Sequence, residues 1–201
     1  HVRFAVKDDR GLLGGAKKSY CLIWTTPAWT IPANLAICLH PDFDYVLVDA
    51  SSAQYLLAEA LLEPVSRALG DGSTWTVLKR FKGRELEGVV CTHPLVDRES
   101  PLILGEHVTL EQGTGCVHTA PGHGLEDFVV GRAYKLPVLS PLDDSGVFTA
   151  EAGEFAGMHY SSGGKAVIEA LRRSGIDGSR VDEVVIGTIG QVHSDAYIAR
   201  R

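Results

Sequence analysis

The 201-residue sequence lacks the marks of several functional classes. Its four cysteines, Cys21, Cys38, Cys91 and Cys116, are widely spaced, and three of them sit in apolar runs. That suits reduced core thiols better than a disulfide framework or a thiolate metal site. No apolar run approaches the roughly 20 residues needed to cross a bilayer, so no membrane partner is expected. Positive charge is scarce: 19 Lys and Arg against 25 Asp and Glu leave a net charge of −6, without the basic field of a dedicated nucleic-acid binder. Any RNA contact must then be local. The candidates are Lys79-Arg80-Phe81-Lys82-Gly83-Arg84, Arg172-Arg173 and Arg200-Arg201, although clusters this short are commonly solvated faces. No metal is expected, because His118 and His123 have no partner pair at ligand spacing and zinc needs three or four convergent donors. The Gly-x-Ser-x-Gly elbow of serine hydrolases is also missing. The start, His1-Val2-Arg3-Phe4, reads as strand and carries no signal or transit peptide, as expected of a piece excised from a longer protein. A cytoplasmic location is the expectation, with mitochondrion and plastid left open.

What is present is a chain long enough to bury a full core as one domain over residues 1–201. Short β-like runs recur at Tyr20–Trp24, Leu35–Leu39, Tyr45–Val48, Thr74–Leu78 and Val184–Ile186, most of them bounded by turn residues such as His40-Pro41-Asp42 and Gly70-Asp71-Gly72-Ser73. Three segments carry helical signals. From Ser52 to Leu69, the residues Leu57, Leu61, Pro64 and Ala68 form an apolar stripe, with Pro64 a possible early stop. A second helix is expected to begin near Gly124, with Glu126 and Asp127 at the positive end of its dipole. A third is expected from about Ser161 to Ser174, with Val167, Ala170 and Leu171 facing inward and Gly175 as a stop.

Two segments carry chemistry. Ile23-Trp24-Thr25-Thr26-Pro27-Ala28-Trp29-Thr30-Ile31-Pro32-Ala33-Asn34 runs from a strand into hydroxyls and then two prolines. Proline cannot donate to a sheet ladder, so the segment should leave the sheet and line something. The bland alternative is a strand end whose threonines satisfy backbone groups. Gly113-Thr114-Gly115-Cys116-Val117-His118-Thr119-Ala120-Pro121-Gly122-His123-Gly124-Leu125-Glu126-Asp127-Phe128 combines four glycines, two histidines and two carboxylates just before a helix start. Such backbone can approach a ligand closely; the alternative is a glycine-rich turn with Asp127 at a helix start. A Cys116–His118 nucleophile pair is conceivable, since residues two apart on a strand share a face.

In order, spacing and content this pair of segments resembles the inserted (CP1) editing domain of isoleucyl-tRNA synthetases, a class I family, of bacterial or organellar type. Cys91-Thr92-His93-Pro94-Leu95 and Ile103-Leu104-Gly105-Glu106-His107-Val108-Thr109 fit as well. The resemblance is strongest over residues 2–190. The tail 191–201 keeps His193-Ser194 and then departs from the family pattern. The sister enzymes for leucine and valine carry Arg-Pro after the threonines, where this chain has Trp29-Thr30-Ile31-Pro32. The nucleotide-binding signatures of the synthetic core are absent.

The resemblance implies a β-rich α+β fold, a small closed β-barrel-like core decorated by about three helices. It implies hydrolysis of valine mischarged on the 3′ end of tRNA(Ile), with the remainder of the synthetase as a further partner. No cofactor is implied for this domain, ATP and Mg belonging to the synthetic core. Thr25, Thr26, His118 and Asp127 take the catalytic positions; Trp24, Trp29, Thr30, Asn34, Gly115 and His123 bind substrate. By the same resemblance Asp127 pairs with the α-ammonium, His118 walls the side-chain pocket, and Thr25 and Thr26 hold the terminal adenosine and orient water. One departure bears on activity: the family has three threonines and a proline before the second tryptophan, whereas this chain reads Thr25-Thr26-Pro27-Ala28-Trp29. Weakened editing is the expectation. The alternatives are an editing-deficient module that binds aminoacyl-tRNA and a free-standing deacylase acting in trans.

Overall fold

The computed structural model describes residues 1–14, 17–50, 53–69 and 74–173. The expected strand at Val184–Ile186, the turn at Gly70–Ser73, the stop at Gly175, the Arg200-Arg201 pair and the tail 191–201 lie outside the described residues. The described residues divide into two compact units, one drawn from 1–25 and 36–118, the other from 26–35 and 119–173.

The first unit is built on strands β1 (Val2–Asp8), β2 (Ser19–Ile23), β3 (Ala36–Leu39), β4 (Asp44–Asp49), β5 (Gln54–Ala58), β6 (Thr76–Lys82), β7 (Val90–Thr92), β8 (Glu99–Leu104) and β9 (Val117–Thr119). They form a nine-stranded mixed sheet in the order β6-β4-β5-β2-β1-β7-β8-β3-β9. Most neighbours are antiparallel, but β2 pairs with β5 and β3 with β8 in parallel. The β-rich α+β class expected from the sequence is present. Closure is not: among the described residues the strand order has two ends, β6 and β9, so the sheet is not closed into a barrel. Every residue of β3 and of β5 is buried, Gln54 included, so neither strand alternates between a buried and an exposed face.

That burial corrects one expectation. Residues 54–58 are strand β5, with Leu47 opposite Leu56 on one side and Cys21 opposite Leu56 on the other. A single 3-10 turn, Glu59–Leu61, then leads into helix α1 (Leu62–Leu69). Leu57 and Leu61 suit a helix stripe equally well, because a fully buried strand has no polar face to break the pattern. Pro64 does not stop this helix. It lies in its first turn, where the missing N–H has no intrahelical partner to lose.

Strand β6 begins two residues later than the sequence implied and runs on into the basic cluster. There Arg80 Nε meets Glu59 Oε1 at 2.9 Å, Lys82 Nζ meets Asp44 Oδ1 at 2.7 Å, and Arg84 pairs with Asp42. Lys79 Nζ donates to the Leu12 carbonyl at 2.8 Å. These cations are matched locally on a charged sheet edge, a common guard against edge-to-edge pairing. Such exposed pairs each contribute little stability, about 0–1 kcal/mol.

The second unit holds a 3-10 turn (Ala28–Ala33), helix α2 (Leu125–Ala133), a second 3-10 turn (Ala150–Phe155) and helix α3 (Tyr160–Arg173), and α3 packs against both 3-10 turns. Thr30, Ile31, Pro32 and Ala33 of the first turn are buried. Helix α3 buries Val167, Ala170 and Leu171, as its spacing predicted, together with Gly163. A methyl at Gly163 would come within 2.3 Å of the Phe148 ring, so helix and ring approach as closely as a glycine allows. Helix α2 starts at Gly124 with Glu126 and Asp127 in its first turn, as expected.

Candidate functional site

The unit boundary cuts both chemical segments, between Thr25 and Thr26 and between His118 and Thr119. Trp24, Thr25, Gly115 and His118 therefore belong to the first unit, and Thr26, Trp29, Thr30, Asn34, His123 and Asp127 to the second.

In the first unit, β2 ends at Ile23, and Trp24 makes one further bridge, parallel, to Val117. The two segments thus touch directly, one residue before Thr25 and one before His118. Trp24 also lies over Gly113, where an added methyl would sit 3.2 Å from the indole. Gly113 and Gly115 take φ of +82° and +72°, the left-handed region that glycine enters without strain. A methyl at Gly115 would come within 2.4 Å of the Ala58 side chain. The Gly115 carbonyl accepts the Tyr45 hydroxyl at 2.7 Å, and that oxygen accepts the His40 N–H at 2.9 Å. Ala58 N–H donates to the Thr114 carbonyl at 2.8 Å. The glycine-rich backbone is thus fixed by a buried tyrosine phenol, whose ionisation desolvation pushes well up. Tyr45 has no local signal in the sequence, being 70 residues from the carbonyl it holds.

His118 is buried in β9, and Thr25 is half-buried beyond the end of β2. The Cys116 thiol is also buried and donates to the Leu56 carbonyl at 3.9 Å. It packs in the core of the first unit. All four cysteines are free and buried. The contact with the Cys116 thiol and, after it, burial push the Cys21 thiol up against an opposing contact with Cys91.

In the second unit, the chain leaves the sheet as the two prolines required. Pro27 is exposed, and its carbonyl accepts both the N–H of Thr30 at 3.0 Å and the Thr30 hydroxyl at 2.8 Å. Asn34 N–H closes the turn on the Ile31 carbonyl at 2.9 Å, and Leu35 N–H bonds the Thr119 carbonyl at 3.0 Å. Thr30 and Asn34 are buried, 6% and 0% exposed. Thr26, by contrast, is half-buried on the bend before it.

The loop from Ala120 to Asp127 closes on itself. The Asp127 carboxylate reaches back from the third position of α2 and accepts the Ala120 N–H through Oδ2 at 3.0 Å. His123 N–H bonds the Ala120 carbonyl at 2.8 Å, and Phe128 N–H the Gly124 carbonyl at 2.9 Å. Space here is minimal: a methyl at Gly122 would meet the Leu139 carbonyl oxygen at 2.2 Å, and one at Gly131 the Pro121 ring at 2.6 Å. His123 stands edge-on to Trp29, with centroids 5.2 Å apart and planes at 88°, and Trp29 leans on Tyr160 at 5.6 Å. Burial holds His123 neutral, its pKa lowered to about 4. Asp127 remains half-exposed at the helix start. Tyr160 and the Ala120 N–H are the two members of this arrangement that the sequence did not single out. Neither carries a pattern signal, since one opens a helix and the other is main chain.

The family model of the leucyl-tRNA synthetase editing domain matches residues 76–172. Isoleucine--tRNA ligase of Syntrophomonas wolfei is 54% identical over 86% of this chain, and that of Moorella thermoacetica 56% identical over 87%. The chain spans only 18% and 19% of the length of those two curated relatives. In fold it is similar to the P. knowlesi cytosolic leucyl-tRNA synthetase editing domain, with a TM-score of 0.64 at 14% identity, covering 86% of this chain and 92% of that one. At these identities the chain belongs to the editing-domain family of isoleucyl-tRNA synthetases.

Proposed function

We propose that the chain hydrolyses the ester linking valine to tRNA(Ile). Water attacks the ester carbonyl, the tetrahedral oxyanion collapses, and the terminal ribose hydroxyl leaves as valine departs. A hydrophobic pocket separates isoleucine from valine by only about 1–3 kcal/mol, for which isoleucyl-tRNA synthetase is itself the standard example, so a second, hydrolytic sieve is needed. Asp127 binds the α-ammonium, a charge-assisted contact with direction as well as strength. His118 walls the side-chain pocket and turns isoleucine away by size. Thr25 and Thr26 hold the terminal adenosine and orient the water. The reaction needs no cofactor.

The observation that carries this reading is the Asp127 carboxylate, held on the Ala120 N–H at the start of α2 while still half-exposed, in a chain 54% and 56% identical to two isoleucine--tRNA ligases. The test compares the 201-residue chain with its Asp127→Asn variant on valyl-tRNA(Ile). The wild type should release valine and the variant should be slower by one to two orders of magnitude; equal rates would remove Asp127 from the reaction.

A second reading is favoured by one observation. By the resemblance of the threonine segment, Pro27 and Ala28 stand where the family has threonine and proline, which removes one hydroxyl and one N–H beside Thr26. A module that holds aminoacyl-tRNA without hydrolysing it would lose affinity, and nothing else, in Asp127→Ala.

A further inference from the structure

The loop from Ala120 to Gly124 has one large side chain that its main-chain clamps leave unexplained. The backbone is tied by the Ala120 N–H to Asp127 Oδ2 and by the His123 N–H to the Ala120 carbonyl. Gly122 is pressed on Leu139, and Pro121 on Gly131. The His123 ring takes no part in those ties. It points at Trp29, with its Nε2 buried and without a hydrogen-bond partner. Leaving such an atom unpaired is a cost to the fold, so the fit of the ring against the indole, rather than a bond from that nitrogen, sets its position.

Trp29 is itself held from the other side. Its ring leans on Tyr160 at 5.6 Å, and its Cβ lies 3.8 Å from where a side chain on Gly164 would begin. His123, Trp29 and Tyr160 thus form a row of three rings within the second unit. At one end is the loop that closes on Asp127, in the middle the 3-10 turn that follows Thr26, and at the other end the start of α3.

We propose that His123 is a positioning residue for the hydrolysis described above: wedged edge-on against Trp29, it fixes the loop bearing Asp127 against the turn that follows Thr26. This rests on the deacylase reading. His123 touches neither ester nor water in this assignment. Its effect passes through the loop backbone to the aspartate that grips the α-ammonium, and through Trp29 to the threonine end of the turn. A wedge of this kind depends on ring shape, so another flat, uncharged ring of similar size should serve.

The test measures deacylation of valyl-tRNA(Ile) by the full chain carrying His123→Ala, His123→Phe or Asp127→Asn, with thermal melting of each variant. Edge-on aromatic pairs of this type correspond to about two- to tenfold in an equilibrium constant. His123→Ala should raise KM by that factor with a smaller change in kcat, because the ammonium grip loosens while the chemistry is unaltered. His123→Phe should restore KM to within about twofold of wild type. Unchanged KM in a folded His123→Ala overturns the proposal, as does a folded His123→Phe whose KM is raised tenfold. If His123→Ala does not fold, the Phe variant alone decides. Full activity in Asp127→Asn would instead sink the deacylase assignment of Asp127, an outcome separate from either result at His123.

Discussion

The Asp127 carboxylate accepts the N–H of Ala120 at 3.0 Å, seven residues back along the chain and outside the helix that Asp127 helps to start. An acidic residue in the first turn of a helix ordinarily caps that helix or favours its dipole. Here Gly124, at the N-cap, has no side-chain cap bond, and the acid is used to close a loop. The same contact that orders the carboxylate therefore also orders the backbone between the two histidines. Replacing Asp127 by Asn retains an acceptor for Ala120 but not the charge. The variant is expected to fold and to lose between about ten- and a hundredfold in kcat/KM on valyl-tRNA(Ile), as removal of one charged hydrogen bond does. Steady-state deacylation kinetics check this.

Restoring the family pattern with Pro27→Thr and Ala28→Pro is expected to raise deacylation severalfold. The turn should survive, because Pro27 holds it through its carbonyl oxygen, which accepts both bonds from Thr30 and which threonine also has. Proline is well tolerated at the first position of a helical turn, which is where Ala28 stands. A double variant no faster than wild type would show that the Pro27-Ala28 pair does not limit activity.

Acid should destabilise the protein in a defined window. His123 is held neutral down to about pH 4 by desolvation, whereas the free imidazole value is 6.5. Between those values the unfolded chain binds a proton that the folded chain refuses, so stability falls as pH drops from about 6.5 to 4 and is fully present above that range. The loss attributable to this group is at most about 3 kcal/mol. Urea melts at pH 7 and pH 4.5 measure it, and His123→Phe should show a smaller difference between the two.

Gly115→Ala should be among the most damaging single substitutions outside the reacting groups. It combines a φ of +72° with a contact of 2.4 Å to the Ala58 side chain. A left-handed non-glycine residue and an overpacked core position cost about 1–3 kcal/mol each. A melting temperature unchanged from wild type would contradict the placement of this loop against β5.

Much of this was legible in the sequence, and the misreadings have physical causes. The start of α2 at Gly124, the inward face of α3 and the departure of the chain from the sheet after Trp24 follow from glycine, apolar spacing and proline, all of which act locally. Strand β5 is not legible as a strand, because burial on both faces erases the alternation that identifies one. The open ends of the sheet, β6 and β9, could not be read either, since strand order is set by pairing between distant segments. At the candidate site the acidic and aromatic residues were visible as types. Their partners, the Ala120 N–H, the Tyr45 phenol and the Tyr160 ring, were not. They are main chain or lie far away in sequence, and only folding brings them to Asp127, Gly115 and Trp29.

The proposed size-selective deacylase must tell apart two esters whose side chains differ by one methylene. The measurement that reads this discrimination most directly is the ratio of initial hydrolysis rates of valyl-tRNA(Ile) and isoleucyl-tRNA(Ile) by the 201-residue chain. Rapid release of valine with isoleucine retained is the predicted result. Equal hydrolysis of the two esters would contradict the sieve assigned to His118, and hydrolysis of neither would contradict the deacylase itself.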